Sequence, residues 1–105
     1  MMANILEAFN DMKDKFNPSA ATGLDLVFQF DVEDGDTYHL IVKDGTCEIV
    51  EGANDDPNVT LIMDTDTLIG VMTGTIDGMQ AFMMGKLRAE GDMLLATKLG
   101  DLFPS

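Results

Sequence analysis

The chain has 105 residues, 46% of them apolar and 24% charged, which fits one folded domain and excludes a disordered, apolar-poor segment. Nineteen acidic residues against six basic ones leave a formal net charge of −13. Nucleic-acid binding needs clustered Lys and Arg to displace counterions, and an anionic bilayer repels such a chain, so both are set aside on charge alone.

No run approaches 18 consecutive apolar residues, so no membrane-spanning helix is expected. The start, Met1-Met2-Ala3-Asn4-Ile5, has no basic stretch or apolar core of a secretory signal, and the end, Leu102-Phe103-Pro104-Ser105, is not the Ser-Lys-Leu peroxisomal address. A cytoplasmic location is the expectation. Cys47, the one cysteine, can form neither an internal disulfide nor a zinc or redox motif by itself.

In chain order, Asn4-Ile5-Leu6-Glu7 reads as a capping box. Ile5, Leu6, Phe9, Met12 and Phe16 then recur at helical spacing, which predicts an amphipathic helix over 4–16, ended by Asn17-Pro18. From 24 to 32 the period drops to two: Leu24, Leu26, Phe28, Phe30 and Val32 alternate with a mostly polar set, the pattern of a strand with one buried face. A second strand places Tyr38, Leu40 and Val42 on one face and His39, Ile41 and Lys43 on the other. Asp44-Gly45 suits the two-residue hairpin turn that needs positive φ twice, and a third strand follows from Thr46 to Glu51 with Cys47 and Ile49 on one side. Val59, Leu61 and Met63 mark a fourth strand, read as the last of an antiparallel meander.

The remainder returns to helix. Asp64 or Thr65 caps a helix through Met72, Thr75 caps another through Met84 with Gly85 just past its end, and Asp92 caps a last one; 86–90 between them alternates as a short strand. Helix, four strands, two helices, strand and helix predict one α+β domain over 1–105, with helices packed on one face of a mainly antiparallel sheet.

Chemistry-bearing residues are sparse. His39 lies on the polar strand face without a neighbouring nucleophile or orienting group, so it reads as a surface histidine, and Cys47 on the apolar face reads as an inert small hydrophobe. Asp31, Glu33, Asp34 and Asp36 cluster at one turn and Asp55-Asp56 at another, but no glycine stands in the frame of a calcium loop; turn chemistry accounts for them. Gly70, Gly74 and Gly78 read as helix-end and turn glycines. The expectation is no enzyme, no cofactor and no metal. What stands out is methionine: nine in all, with Met63, Met72, Met79, Met83, Met84 and Met93 in the last part of the chain. Methionine fills core gaps, and it also re-packs around varied apolar guests.

The stretch 83–92, Met-Met-Gly-Lys-Leu-Arg-Ala-Glu-Gly-Asp, followed by Ala96, Lys98-Leu99 and Leu102-Phe103, resembles the sterol carrier protein 2 (SCP-2) lipid-transfer domain. Residues 38–45, Pro57 to Leu61, Asp64 to Gly74, Asp77 and Phe82 extend the likeness over nearly the whole chain. It implies a five-stranded sheet covered by helices, enclosing an apolar tunnel for fatty acyl chains or other lipids, and binding or transfer without catalysis. Three features depart from the family's well-known members: the acidic charge, Tyr38 where tryptophan is frequent, and the absent peroxisomal tail. They suggest a stand-alone, prokaryotic-type member that takes an acyl chain before a sterol.

An empty tunnel of even about 400 Å³ would cost on the order of 10 kcal/mol, comparable with the stability of a whole domain, so it must hold lipid or water or partly collapse. Expected wall residues are Phe28, Phe30, Leu40, Val42, Ile49 and Leu61 from the sheet. Leu68, Met72, Met79, Phe82, Met83, Leu95 and Leu99 are expected from the helices. Tyr38, Thr60 and Lys86 are candidates for a polar contact at the mouth, and the acidic surface favours a neutral or cationic head group. The competing expectation is an interaction module with a solid core that dimerises through Ile41 and Val50 on the otherwise polar sheet face.

Overall fold

Strand alternation becomes a two-sided sheet in the computed structural model, which describes residues 5–103. The capping role of Asn4 lies outside the described residues. The elements are α1 (Ile5–Asp14), a 3-10 turn (Pro18–Ala21), β1 (Asp25–Val32), β2 (Thr37–Lys43), β3 (Thr46–Glu51), β4 (Val59–Met63), α2 (Thr65–Thr73), α3 (Gly78–Met83), β5 (Arg88–Gly91) and α4 (Met93–Leu102). The five strands form one sheet in the order β3-β2-β1-β4-β5.

The sheet is mostly antiparallel, with one exception that corrects the meander. β4 lies parallel to β1, Phe30 opposite Leu61, and does not continue beside β3. The chain from β3 to β4 instead crosses the sheet, held by polar groups that the alternation turns away from the core. Gly52 N–H donates to the Thr37 carbonyl (2.7 Å), and the Gly52 carbonyl accepts from His39 Nδ1 (2.8 Å). Asn54 N–H donates to Gln29 Oε1 (2.9 Å), and Asn58 N–H to the Val27 carbonyl (2.9 Å). His39 is therefore buried, at 7% exposure, where the polar pattern predicts a surface position.

On the other face, Phe28, Phe30, Tyr38, Leu40, Val42, Val59, Leu61 and Met63 are buried beneath the helices. Phe9 of α1 stands over the β1–β2 pair, its ring centroid 5.0 Å from that of Tyr38 and 5.5 Å from that of Phe30. Asp44 (φ 54°) and Gly45 (φ 74°) make the turn their sequence predicts. Asp64 caps α2 by accepting from Thr67 N–H at 2.8 Å, and Asp92 caps α4 by accepting from Leu94 N–H at 3.0 Å.

Three boundaries differ from the sequence reading. Helix α1 ends at Asp14, and the next two residues make single turns back to Met12 and Lys13. Thr75 does not cap α3, because its amide and hydroxyl both donate to the Gly70 carbonyl and close α2 instead; Asp77 takes the capping role through Met79 N–H. Lys86 and Leu87 donate to the Ala81 carbonyl, which delays β5 to Arg88.

Candidate functional site

The two halves of the inner sheet face are covered differently. Helix α1, through Phe9, packs over the β1–β2 side, while α2, α3 and α4 arch over β1, β4 and β5. Beneath that arch is a cavity of about 640 Å³, open to solvent on the side where Met79, Phe82 and Met93 are exposed. Its floor is Phe30, Leu61, Met63 and Ala89; α2 contributes Leu68, Val71 and Met72, and α4 contributes Met93, Ala96, Leu99 and Gly100. The loop after α2 adds Gly74 and Ile76 through Gly78, and Met12, Leu87 and Phe103 complete the apolar lining. Among the described residues five methionines, Met12, Met63, Met72, Met79 and Met93, thus line one space.

The opening has a local cause. Helices α3 and α4 each bury only one residue completely, Ala81 and Leu102, so neither presents a full apolar face to the sheet. Among the described residues the polar lining is limited to Lys15, Asp77 and Thr97. Lys15 follows the end of α1, and its Nζ lies 3.5 Å from the Met72 carbonyl in the last turn of α2, where the helix dipole favours a cation.

Seven of the expected wall residues line this cavity: Phe30, Leu61, Leu68, Met72, Met79, Phe82 and Leu99. Phe28, Leu40 and Val42 lie instead in the solid core, entirely shielded from solvent. Ile49 and Leu95 are half-buried against that core, and Met83 points outward at 79% exposure. None of the three expected mouth residues borders the cavity: Tyr38 is packed on Phe9, Thr60 sits on the outer sheet face, and Lys86 is exposed beyond α3. Burial raises the Tyr38 phenol above its usual range, with Asp36 and Glu51 adding to the shift.

Lys15, Met12, Ile76, Ala89, Met93 and Ala96 line the cavity outside the set that the sequence predicts. Met12 and Met93 did carry a signal, since each sits among the apolar positions of its helix. Elsewhere the polar groups serve the fold. Asp34 accepts from both the amide and the hydroxyl of Thr65 at 2.8 Å, which hold its carboxyl below the usual range, and Glu33 pairs with Arg88 at 3.0 Å. Burial pushes the Cys47 thiol up, opposed by Lys13. Among the described residues no three His, Cys, Asp or Glu side chains gather where a metal ion would be held, and no helix is long and apolar enough to cross a membrane.

A sheet of order β3-β2-β1-β4-β5 roofed by helices over an apolar hollow accords with the match of residues 5–104 to the model of the SCP-2 sterol transfer family. The chain belongs to that family. It is 34% identical over 99 residues to hydroxysteroid dehydrogenase-like protein 2 of Bos taurus, an alignment covering 91% of this chain and 24% of that protein. The chain spans about a quarter or less of the length of the curated relatives it matches first. Among solved structures, the sec-alkyl sulfatase PisA1 from Pseudomonas sp., in a double-mutant form, has a TM-score of 0.86 at 20% identity, over 98% of this chain and 17% of that one. Palmitated SCP2L2 from Aedes aegypti has a TM-score of 0.74 at 20% identity, over 98% of this chain and 96% of that one. These likenesses establish the SCP-2 fold: a mostly antiparallel five-stranded sheet with its helices on one face.

Proposed function

We propose that this SCP-2 domain binds a fatty acyl chain or a comparable lipid in the cavity beneath α2, α3 and α4, and stores or transfers it unchanged. The observation that carries the reading is the 640 Å³ hollow with five methionines on its walls. Closed and dry, an apolar void of that size would cost about 15 kcal/mol, as much as a whole domain's stability, so the space is suited to occupation. Burying about ten methylenes supplies on the order of 8 kcal/mol before ordering costs, enough for micromolar binding. The palmitated Aedes aegypti protein, with the same fold, supports an acyl ligand.

Lys15 changes the expected head group. The net charge favours a neutral or cationic head, but the one basic side chain on the cavity wall is Lys15, and it favours a carboxylate. No step of this reading requires catalysis, and a cytoplasmic carrier is the setting it suits. The outer sheet face, where Val27, Ile41, Val50 and Ile62 are half-buried, remains the candidate surface for self-association.

Displacement of a fluorescent fatty acid by palmitate tests the binding, with solvent extraction and mass spectrometry of the purified protein alongside. Saturable displacement supports the reading; neither displacement nor extracted lipid above background would refute it. A dimer by light scattering without displacement would favour the interaction module.

A further inference from the structure

Among the described residues seven large apolar side chains are exposed, and six of them come from two short stretches: Met79, Phe82, Met83 and Met84, then Met93 and Leu94. Met79, Phe82 and Met93 also border the cavity, so this patch and the cavity wall share side chains. Met83, Met84 and Leu94 follow directly on Phe82 and Met93 in the chain and are 79%, 68% and 77% exposed. Large apolar side chains left exposed together around a cavity mark a place of contact.

Charge is divided along the chain in the same way. Residues 67–105 carry four acids and three bases, whereas residues 1–66 carry fifteen acids and three bases. The portion that bears the patch is close to neutral, and nearly all of the net charge of −13 lies on the rest. Two of its four acids, Asp77 and Asp92, are engaged in capping α3 and α4.

We infer that α3 and the first turn of α4 are the surface on which the chain rests on a zwitterionic lipid layer, with the cavity mouth toward the acyl phase. The inference rests on the lipid-carrier reading above. Whatever covers the patch also covers the mouth. A protein partner would seal the cavity, while a lipid layer continues it, letting an acyl chain pass without exposing its methylenes to water. Unbranched, flexible methionines suit a fluid partner with no fixed shape. The acidic remainder is repelled by an anionic leaflet over a Debye length of about 10 Å at 0.1 M salt. Added salt therefore strengthens binding to vesicles containing anionic lipid, the reverse of a basic peripheral protein.

The test is flotation of the full chain with phosphatidylcholine vesicles, with and without phosphatidylserine, across a salt series. The patch is probed by combining Met83→Ser, Met84→Ser and Leu94→Ser, none of which lines the cavity, and Leu6→Ser on α1 serves as the control. Removing three apolar anchors is expected to weaken binding to phosphatidylcholine about tenfold or more, with Leu6→Ser without effect. Fatty-acid displacement in vesicle-free buffer should be unchanged in the triple variant, and circular dichroism reports its folding. The inference is overturned if the native chain ignores phosphatidylcholine, or if the triple variant floats as the native chain does. It is also overturned if Leu6→Ser alone abolishes flotation, or if light scattering shows the patch consumed in a dimer. Loss of displacement in the native chain would instead refute the carrier reading, and flotation would still decide the docking surface.

Discussion

The side chain of Ile76 occupies the place where a Cβ on Gly70 would stand: such an atom would lie 3.2 Å from Ile76 Cβ and closer still to its Cγ1 and Cδ1. The Gly70 carbonyl accepts from the amides of Thr75 (2.9 Å) and Ile76 (3.0 Å), so the chain leaving α2 folds back over the helix it has just completed. That fold-back sets Ile76 into the cavity wall. Gly70→Ala gains about 1 kcal/mol of helix propensity but overpacks a β-branched neighbour, at about 1–3 kcal/mol. A net loss of roughly 1 kcal/mol in urea unfolding is expected, with weaker binding of the fatty-acid probe because Ile76 must move. A variant as stable as the parent and binding equally well would show that the loop is not seated by this contact.

Ala96 stands in the cavity wall on α4, half-buried, with open space before it. Ala96→Phe puts a ring into that space. Filling the hollow should leave stability unchanged or raise it by up to about 2 kcal/mol, while probe affinity falls severalfold. Urea unfolding and displacement together separate this from simple damage, which would lower both. Undiminished affinity would place the ligand elsewhere.

Much of the scaffold is legible as local chemistry: the alternation that makes β1, the Asp44-Gly45 turn, and the caps at Asp64 and Asp92. The neighbour of β4 is not, because an inward-outward pattern looks the same beside β3 or beside β1. What decides it is a set of polar contacts across the chain, such as His39 with Gly52 and Gln29 with Asn54. The cavity is obscured for a related reason. Phe28 and Phe30 point the same way from β1, yet one is sealed in the core and the other lines the hollow. Periodicity records which face of a strand a residue occupies and carries no record of what stands above it.

The burial of His39 leads to a prediction that separates fold from site. Its Nδ1–H donates to the Gly52 carbonyl on the face opposite the cavity and anchors the crossover to β4. His39→Ala removes that donor, at a cost of about 1–3 kcal/mol if the carbonyl is left unsatisfied. Urea unfolding should register the loss while fatty-acid displacement stays as in the native protein. A selective loss of function at unchanged stability would reopen a chemical role for this histidine.

Asp34 ties the β1–β2 turn to the start of α2 through Thr65. Both hydrogen bonds favour the ionised carboxylate, so its folded pKa lies below the unfolded one. The contribution to stability is therefore present above the unfolded pKa and is lost as pH falls through the lowered, folded value. In an acid titration followed by NMR, the Thr65 amide should shift with the Asp34 carboxyl, at a pH below the usual carboxylate range. Asp34→Ala should abolish that shift. Titration of Asp34 within the usual range would mean that the two bonds are not kept in solution.

Lys15 allows the head-group assignment to be tested against chain burial. Its ammonium lies near the Met72 carbonyl at the cavity wall, and under the proposed reading it would attract a carboxylate. Lys15→Met keeps the aliphatic stem and removes the charge. A charge-assisted hydrogen bond, discounted for partial exposure, contributes about 1 kcal/mol, so palmitate should bind roughly fivefold more weakly. A fatty alcohol of the same length lacks the carboxylate and should bind both proteins alike. Since the two ligands bury the same methylenes, only a head-group contact can separate them. Equal losses for both would mean that Lys15 shapes the wall, and no loss for either would place the carboxylate away from α1.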